Sequence, residues 1–325
     1  MHINSLHIEK YKILEDLKME FQIPKDNQNI VNVIAGVNGS GKTTILEWIV
    51  DRLTIDNLDG TIIRDDRVKL IKNHWINNIN RYNTQLAKEN QYLKGFHTSP
   101  RIIYIPSNMT FNYQAKNILD RSYKFKNIVD TNSLLGNAEF FIKEFVISKE
   151  RLSSKGNPQE RTKDAIDSFN AIFKDSNLIT KLVDLDIHNS NKPIFETLNG
   201  DKITIDKLSS GEQQLYARVV ALMILNPHNS IVLIDEPEIA LHPKWQSQIM
   251  EIYANIGKNN QFIVTTHSPY IIASVANENI NFLVRENNKI VVIDNILAYG
   301  RDIEWVLGEM GLENTRPPKI LDIIL

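Results

Sequence analysis

The sequence predicts an α/β fold with a mixed central sheet flanked by helices, an N-terminal antiparallel β subdomain and a mainly helical insertion. A glycine-rich loop at residues 36–43 follows an apolar strand and opens a helix. After residue 206, short apolar strands alternate with helical segments, which is typical of a parallel sheet. Residues 3–9 and 14–21 alternate in the manner of half-buried antiparallel strands.

The loop at residues 36–43 reads G-V-N-G-S-G-K-T and matches the pattern G-x-x-x-x-G-K-[S/T] in full. Phosphates at such a strand–helix junction meet free backbone N–H groups at a helix N-terminus. Lys42 would bind the β- and γ-phosphates, and the Thr43 hydroxyl would ligate Mg²⁺. The loop therefore predicts a nucleoside triphosphate site formed by Gly36, Asn38, Gly39, Ser40, Gly41, Lys42, Thr43 and Thr44.

Composition narrows the class of protein. With 325 residues, 42% of them hydrophobic, the chain can bury a large core as one elaborated domain or as two lobes. The formal charge of −2 gives no general attraction to nucleic acid or to an anionic membrane. The lack of cysteine excludes disulfides and thiolate metal sites. No apolar run reaches the roughly 20 residues that span a bilayer, so we expect a cytoplasmic protein with no membrane partner.

Two middle segments predict helices, and each has two interpretations. In residues 69–94 an apolar stripe favours a helix that packs on its own lobe over a protruding, partner-binding or coiled helix. Residues 115–183 break at 153–158 and carry basic residues near Tyr123 and Phe125. Because acidic neighbours dilute this charge, we favour a solvated surface over a nucleic-acid interface. The stripe is Trp75, Ile79, Tyr82, Leu86 and Leu93, and the basic set is Lys116, Arg121, Lys124, Lys126, Arg151, Lys155, Arg161 and Lys163.

A serine- and glycine-containing segment opens a helix after residue 208. It consists of Ser209, Ser210, Gly211 and Glu212, and the helix is expected to stop at residues 226–227. Taken alone, the segment is typical of a helix N-cap. We assign it to the nucleotide site because two adjacent carboxylates follow it in the chain.

Asp235 and Glu236 end the buried strand at residues 230–234. Successive side chains at a strand end point apart, so the two can have different roles. Buried carboxylates are costly unless a cation lies nearby, and a strand that simply exits to solvent is the disfavoured alternative. We predict that Asp235 holds Mg²⁺ through its water shell and that Glu236 orients or deprotonates the attacking water.

His267 follows another buried strand, at the sheet edge where α/β proteins bind ligands. Ser268 and Pro269 are typical of an N-cap and a first helical residue. A lone histidine is usually structural, but the order of motifs favours a contact with the γ-phosphate. The predicted catalytic residues are thus Lys42, Glu236 and His267, and the predicted metal ligands are Thr43 and Asp235.

In this order, the phosphate loop, L-S-S-G-E-Q-Q, I-V-L-I-D-E-P-E, L-H-P and T-T-H-S-P resemble the ATP-binding-cassette type of P-loop ATPase. Ser210, residues 239–246 and residues 266–269 are similar to its soluble branch. That branch includes RecF, SMC-like heads, the overcoming-lysogenization-defect nucleases, and the ATPases of anti-phage systems such as Septu and its retron-linked relatives. Residues 298–302 and 316–318 also resemble the defence ATPases.

The resemblance implies a homodimer that sandwiches two ATP molecules, with Mg²⁺. Ser209 and Gly211 of one head would meet the γ-phosphate held by the other, and residues 240–243 would lie across the interface. The chain departs from the family's pattern at the glutamine loop, because Gln114 matches that motif poorly. The implied division is an N-terminal lobe (1–54), a mainly helical insertion (55–200), an ATPase lobe (201–297) and a helical tail (298–325).

The function we expect is an ATPase that controls a separate effector, of nuclease type, in anti-phage defence. DNA repair of the RecF or SMC kind is the alternative, and a transporter subunit is less favoured. DNA or RNA is a further candidate partner. A nuclease within the chain is not supported, because only a hairpin at 280–294 and a helix from Asp302 follow the head motifs.

Overall fold

The computed structural model describes residues 2–53, 102–107, 126–128, 131–174, 180–239, 241–287, 289–293 and 297–310, without the side chains of 126–128, 131–137 and 309. The apolar stripe of 69–94, Gln114, the basic residues up to Lys124, Ala240 and residues 316–325 lie outside these ranges. Among the described residues, no helix combines the length and apolar character needed to cross a bilayer.

Twelve strands are described, and seven of them form the central sheet. The strands are β1 (Ser5–Tyr11), β2 (Leu14–Glu20), β3 (Ile30–Gly36), β4 (Ile102–Ile105), β5 (Lys126–Ile128), β6 (Lys181–Asp186), β7 (Lys192–Glu196), β8 (Lys202–Thr204), β9 (Ile231–Asp235), β10 (Gln261–Thr266), β11 (Ile280–Glu286) and β12 (Lys289–Ile293). The central order is β12-β11-β3-β10-β9-β4-β5. All neighbours are parallel except the β11–β12 hairpin, so the sheet is mixed, as predicted.

The α-helices lie between these strands along the chain. They are α1 (Lys42–Arg52), α2 (Thr131–Leu152), α3 (Pro158–Ala171), α4 (Ser210–Leu225), α5 (Pro243–Gln246), α6 (Ile249–Ala254), α7 (Pro269–Ala273) and α8 (Ile303–Glu309). The helix after residue 208, α4, ends at Leu225, next to the stop at residues 226–227 that the sequence predicts. The α/β fold class predicted from the sequence is confirmed.

Both faces of the central sheet are apolar because both are covered. Along β9, Val232 and Ile234 join a core with α2, α3 and α4, whereas Ile231 and Leu233 join a second core with α1 and the β1–β2 hairpin. This two-residue alternation is the period of a strand. It explains why the central strands read as continuous apolar runs in the sequence.

The β1–β2 hairpin is the predicted N-terminal antiparallel subdomain, and a buried amide ties it to the sheet. The Gln261 side chain accepts a hydrogen bond from the Ile3 N–H (2.7 Å) and donates to the carbonyls of Ile3 (2.8 Å) and Gln22 (3.0 Å). Gln261 itself is fully buried at the start of β10. The subdomain is therefore fixed to the strand that leads to the predicted histidine.

The segment at 55–200 contains more strand than the sequence predicts. The break between α2 and α3 lies where expected, and Lys155 forms an exposed ion pair with Asp164 (3.0 Å), as expected of a solvated surface. However, β4 and β5 belong to the central sheet, and β6 and β7 pair with β8 in a separate three-stranded sheet. Neither β5 nor β6 was predicted, since strands of three and six residues carry too little periodicity. The domain boundaries stay a prediction.

The carboxyl ends of four parallel strands meet at one edge of the sheet. Thr265 on β10 pairs with both Ile34 on β3 and Asp235 on β9, and Ile105 on β4 pairs with Ile234 on β9. The segments that follow β3, β4, β9 and β10 therefore emerge side by side. These are the segments that carry most of the predicted site residues.

Candidate functional site

The loop between β3 and α1 has a backbone that suits glycine. Gly39 and Gly41 have φ of +80° and +89°, in the left-handed region that residues with a Cβ rarely adopt. A Cβ at Gly41 would also lie 2.8 Å from Leu14 Cδ2 of the β1–β2 hairpin. Glycine at position 41 thus serves both the loop conformation and the packing of the hairpin against it.

The Lys42 amine is buried within the loop. Its Nζ donates hydrogen bonds to the carbonyl oxygens of Gly36 (2.9 Å) and Val37 (3.0 Å), and it lies 4.0 Å from Glu236 Oε1. Burial lowers the pKa of Lys42, while the nearby carboxylates, that of Glu236 foremost, oppose the shift. The ammonium group is held where the loop backbone converges.

The loop residues suit a phosphate ligand. Ser40 Oγ is buried and, among the described residues, makes no hydrogen bond, which is unusual for a buried hydroxyl. Asn38 and Gly39 are exposed and Thr44 is half-buried at the start of α1. An unpaired hydroxyl beside a lysine amine at a helix N-terminus fits an anion with several oxygen acceptors.

Asp235 accepts hydrogen bonds from three hydroxyl groups that come from different parts of the chain. Thr43 Oγ1 lies 3.0 Å from each carboxylate oxygen, Ser107 Oγ donates to Oδ2 (2.7 Å), and Thr265 Oγ1 donates to Oδ1. The Asp235 residue is 1% exposed. A carboxylate with adjacent hydroxyls provides the hard oxygen ligands that Mg²⁺ prefers.

Ser107 is the residue that the sequence reasoning missed at this position. It lies two residues beyond β4, the strand next to β9, whereas the sequence analysis considered Gln114 for a role after that strand. Its position in the sequence could have indicated this role. Ser107 is a polar residue just after a strand, and polar residues just after parallel strands share one sheet edge.

Glu236 has a strained backbone and an ionised side chain. Its φ of +44° is in the left-handed region, which costs a non-glycine residue about 1–3 kcal/mol. Its N–H donates to the Thr265 carbonyl (3.1 Å), and its Oε1 lies 3.4 Å from His267 Nδ1. The contact with His267 lowers the pKa of Glu236, aided by Lys42 and opposed by burial. Asp235 and Glu236 thus have different environments, as the sequence predicts.

His267 lies between two carboxylates. Its Nδ1 is 3.4 Å from Glu236 Oε1 and 3.3 Å from Glu238 Oε1, and Glu238 Oε1 also accepts hydrogen bonds from His267 N (2.8 Å) and Thr266 Oγ1 (2.7 Å). The contact with Glu236 raises the pKa of His267, with help from Glu238 and against the effect of burial. Glu238, which the sequence analysis did not single out, therefore fixes the position of the histidine backbone.

Ser209, Ser210, Gly211 and Glu212 form the N-terminus of α4, and Ser209 is its N-cap. Ser209 Oγ accepts from Glu212 N (3.3 Å), and Glu212 Oε2 accepts from Ser209 N (3.2 Å), which completes a capping box. The Glu212 carboxylate is buried and also accepts from Thr180 Oγ1 (2.8 Å). The N-cap interpretation therefore describes the geometry, and any effect of Glu212 on a nucleotide would act through Ser209.

The structure brings together Lys42, Thr43, Asp235, Glu236 and His267. By contrast, no hydrogen bond within the described ranges joins Ser209 or Glu212 to the loop or to the two carboxylates. Ser209 and Ser210 are exposed, whereas Gly211 is buried. The roles assigned to all these residues stay predictions.

Comparison with known proteins identifies a family and several relatives. A family model described as "AAA domain, putative AbiEii toxin, Type IV TA system" matches residues 83–273. The chain is 30% identical over 209 residues to the "Retron Ec83 probable ATPase" of Escherichia coli, an alignment that spans 60% of this chain and 36% of that protein. It is 25% identical over 358 residues to the "Septu protein PtuA" of Bacillus thuringiensis, spanning 99% of this chain and 87% of that protein.

Among solved structures, the SMC head domain from Thermotoga maritima is similar with a TM-score of 0.47 and 12% identity, over 91% of this chain and 100% of that chain. The chain spans about a third of the length of the retron relative. The resemblance to Septu and retron-linked ATPases that the motifs indicate is confirmed by the matches to curated proteins.

Proposed function

This chain belongs to the AAA domain family whose model matches residues 83–273, and from that membership we propose that it binds and hydrolyses ATP, dimerises head to head on ATP and controls an effector protein. The observation that carries the proposal is the convergence of Lys42, Thr43, Asp235 and Glu236 at one sheet edge. An ammonium, a hydroxyl and two carboxylates are the groups that phosphoryl transfer to water requires.

Each residue has a distinct part in the proposed reaction. Lys42 would exchange the carbonyls of Gly36 and Val37 for phosphate oxygens. Mg²⁺, held by Thr43 with Asp235, would neutralise charge on the phosphates. Glu236 accepts a hydrogen bond from the attacking water and orients it. Because the pKa of Glu236 is lowered, it is a weak base, so orientation is its larger contribution.

His267 supplies positive charge beside this water. The raised pKa of His267 favours the imidazolium form, which stabilises negative charge that develops on a transferred phosphoryl group. The carboxylates of Glu236 and Glu238 hold the ring between them. A histidine in this position distinguishes the γ-phosphate of ATP from the shorter phosphate chain of ADP.

The dimer is supported by the position of α4. A helix N-terminus with exposed Ser209 and Ser210 suits a phosphate, yet these residues make no hydrogen bond, within the described residues, to the loop of the same chain. A second copy would place the N-terminus of its α4 against the nucleotide, and twofold symmetry would make both sites equivalent.

The Glu236→Gln variant tests the enzymatic part. The amide keeps the size of the side chain but loses the negative charge and replaces one acceptor oxygen with a donor, so it orients the water poorly and cannot accept its proton. We expect ATP binding within about twofold of wild type and turnover lower by about 10²–10⁴-fold. Steady-state phosphate release and fluorescent-nucleotide titration measure the two quantities. In ATP and Mg²⁺, light scattering should show a longer-lived dimer. Unchanged turnover, or a variant that stays monomeric, contradicts the proposal.

The effector is proposed from the relatives. One is named a retron probable ATPase and another a Septu protein, which supports a role in anti-phage defence. That the partner is a separate nuclease is part of our proposal. Plating of phage on cells that carry the chain with its neighbouring genes tests this. We expect protection with wild type and none with Glu236→Gln. If cells with Glu236→Gln become sensitive to DNA damage but keep their protection against phage, a role in DNA repair is favoured instead.

A further inference from the structure

A buried arginine on α4 joins the helix to the turn that carries Glu236. Arg218 is 6% exposed, and an arginine side chain keeps its charge in proteins. Its Nη1 donates to the carbonyl oxygens of Pro237 (3.1 Å) and Glu236 (3.4 Å). In the described parts of the chain no carboxylate forms an ion pair with it. A buried guanidinium is thus bound to backbone carbonyls, and these hydrogen bonds offset part of the cost of removing its charge from water.

The two carbonyls belong to the strained turn after β9. The φ of Glu236 is +44°, and its N–H donates to the carbonyl oxygen (3.1 Å) and the hydroxyl (3.2 Å) of Thr265. The peptide groups on both sides of the Glu236 Cα are therefore held, one by β10 and the other by α4. With both groups fixed, the direction of the Glu236 side chain depends on where Arg218 lies.

Arg218 and the exposed helix N-terminus belong to one rigid element. Ser209 is the N-cap of α4, and Arg218 follows nine residues later in the same helix. At 1.5 Å per residue the two are about 14 Å apart along the axis. A displacement of the helix N-terminus is therefore transmitted to the Glu236 turn through side-chain hydrogen bonds.

We propose that Arg218 is a positioning residue that couples the N-terminus of α4 to the Glu236 carboxylate. The proposal rests on the function given above, and it adds how hydrolysis is confined to the dimer. A phosphate bound at Ser209 by a second copy sets the position of α4, Arg218 moves with it, and the Glu236 turn follows. Water is oriented for attack only when the partner's nucleotide is in place.

The test compares Arg218→Met, Arg218→Lys and a control, Arg161→Met, which removes a partly exposed arginine from α3. For Arg218→Met we expect kcat lower by about 10–10²-fold, the effect of misplacing a catalytic group by about 1 Å. KM for ATP and the ATP-dependent dimer should stay within about twofold. Arg218→Lys keeps the charge and a hydrogen-bonding group but not the planar guanidinium, so it should recover part of kcat. Arg161→Met should match wild type.

A double-variant cycle separates positioning from simple destabilisation. If Arg218 acts through Glu236, adding Arg218→Met to Glu236→Gln lowers turnover no further. The proposal is overturned if the two losses of turnover multiply in the double variant. It is also overturned if Arg161→Met loses as much turnover as Arg218→Met. If Arg218→Met fails to fold, Arg218→Lys in the same two backgrounds decides the question.

Hydrogen exchange gives a readout that needs no ATP hydrolysis. Without nucleotide, peptides that cover residues 236–241 should exchange faster in Arg218→Met or Arg218→Lys than in wild type or Arg161→Met. Unchanged exchange overturns the coupling. Absence of ATP turnover in wild type, with faster exchange in the variants, would instead overturn the proposed function and leave the link from α4 to the turn intact.

Discussion

Asp235 shows how much of the site depends on hydroxyl groups. A buried carboxylate without partners is costly, and here Thr43, Ser107 and Thr265 supply the hydrogen bonds. Thr43 lies in the first turn of α1, Ser107 lies two residues after β4 and Thr265 lies near the end of β10, so the three meet only when the central sheet is complete. The same hydroxyls fix the orientation of the carboxylate, as the proposed role of Asp235 as a metal ligand would require.

Ser107→Ala tests the hydroxyl that the sequence reasoning missed. Loss of the 2.7 Å hydrogen bond leaves Thr43 as the remaining hydroxyl partner of Asp235 Oδ2, and a hydrogen bond to a charged group contributes about 1.5–3 kcal/mol. We expect the Mg²⁺ concentration for half-maximal ATP turnover to rise about tenfold or more. Calorimetric titration of Mn²⁺ in the presence of a non-hydrolysable ATP analogue should show the same weakening. Ser168→Ala, which removes an exposed hydroxyl on α3, is the control. If both variants need the same Mg²⁺ concentration for half-maximal turnover, Ser107 does not belong to the site.

The pair formed by His267 and Glu236 makes stability depend on pH. The pKa of His267 is raised, so its contribution is full below the ordinary value of 6.5 and is lost as pH rises through the folded-state pKa. The pKa of Glu236 is lowered, so its contribution is full above 4.5 and is lost as pH falls through the folded-state pKa. The interaction is therefore strongest between these two ordinary values.

His267→Gln should expose this dependence. We expect wild type to exceed the variant in free energy of unfolding most clearly near about pH 5–6, with a smaller difference by about pH 8.5. The effect is small, since the His267 side chain is 41% exposed and solvent screens the pair. Urea denaturation at a series of pH values measures it. A difference that does not change with pH would mean that the pair contributes nothing.

At the scale of elements, the sequence predicts what local patterns specify. The helix after the phosphate loop, β9 and β10 have strong periodicity or follow a recognisable motif, and each lies where expected. The short strands β5 and β6 were not predicted, because three and six residues carry too little periodicity, even though β6 pairs with the next strand in the chain, β7.

The residues of the site divide in the same way, into those that a local motif reveals and those that only tertiary packing brings in. Lys42, Thr43, Asp235, Glu236 and His267 are readable from motifs, and the structure brings them together. The contacts of Ser107, Arg218 and Glu238 arise from tertiary packing, and the left-handed φ of Glu236 has no local signal such as glycine or asparagine. Such contacts need the assembled sheet and cannot be inferred from spacing.

Gln261→Met tests the link between the hairpin and the sheet. The substitution keeps the volume but leaves the Ile3 N–H and the Ile3 carbonyl without their partner, whereas the Gln22 carbonyl keeps a hydrogen bond from the Asn32 amide (2.9 Å). We expect the free energy of unfolding to fall by about 2–4 kcal/mol, since each buried polar group left unpaired costs about 1–3 kcal/mol. Urea denaturation gives the value, with exposed Gln159→Met as the control. A loss below about 0.5 kcal/mol, typical of a surface change, would contradict the link.

At the scale of the whole molecule, the proposed dimer makes two inactive variants complement each other. Lys42→Ala damages the phosphate loop and Ser209→Arg blocks the N-terminus of α4, so each alone should be inactive. In a mixed dimer both defects fall in one site and the other site is intact. We expect an equal mixture to recover trapped ATP to about a quarter of the wild-type amount, because half of the dimers are mixed and each has one complete binding site. Turnover at that site should stay low, because its Glu236 belongs to the copy whose α4 is blocked. No recovery at any ratio would indicate that a site is built within a single chain.

The pairing of β9 with β10 and β4 places a limit on how the gene can vary. Asp235 meets its hydroxyls because it is the fifth residue of β9, in register with Thr265. Deletion of one codon within β9 would place Glu236 opposite Thr265 and would place Pro237 where Glu236 now lies. Neighbouring residues on a strand face opposite ways, so both side chains would be misplaced. Insertions and deletions among natural variants should therefore avoid this stretch, even where its apolar residues exchange freely for one another.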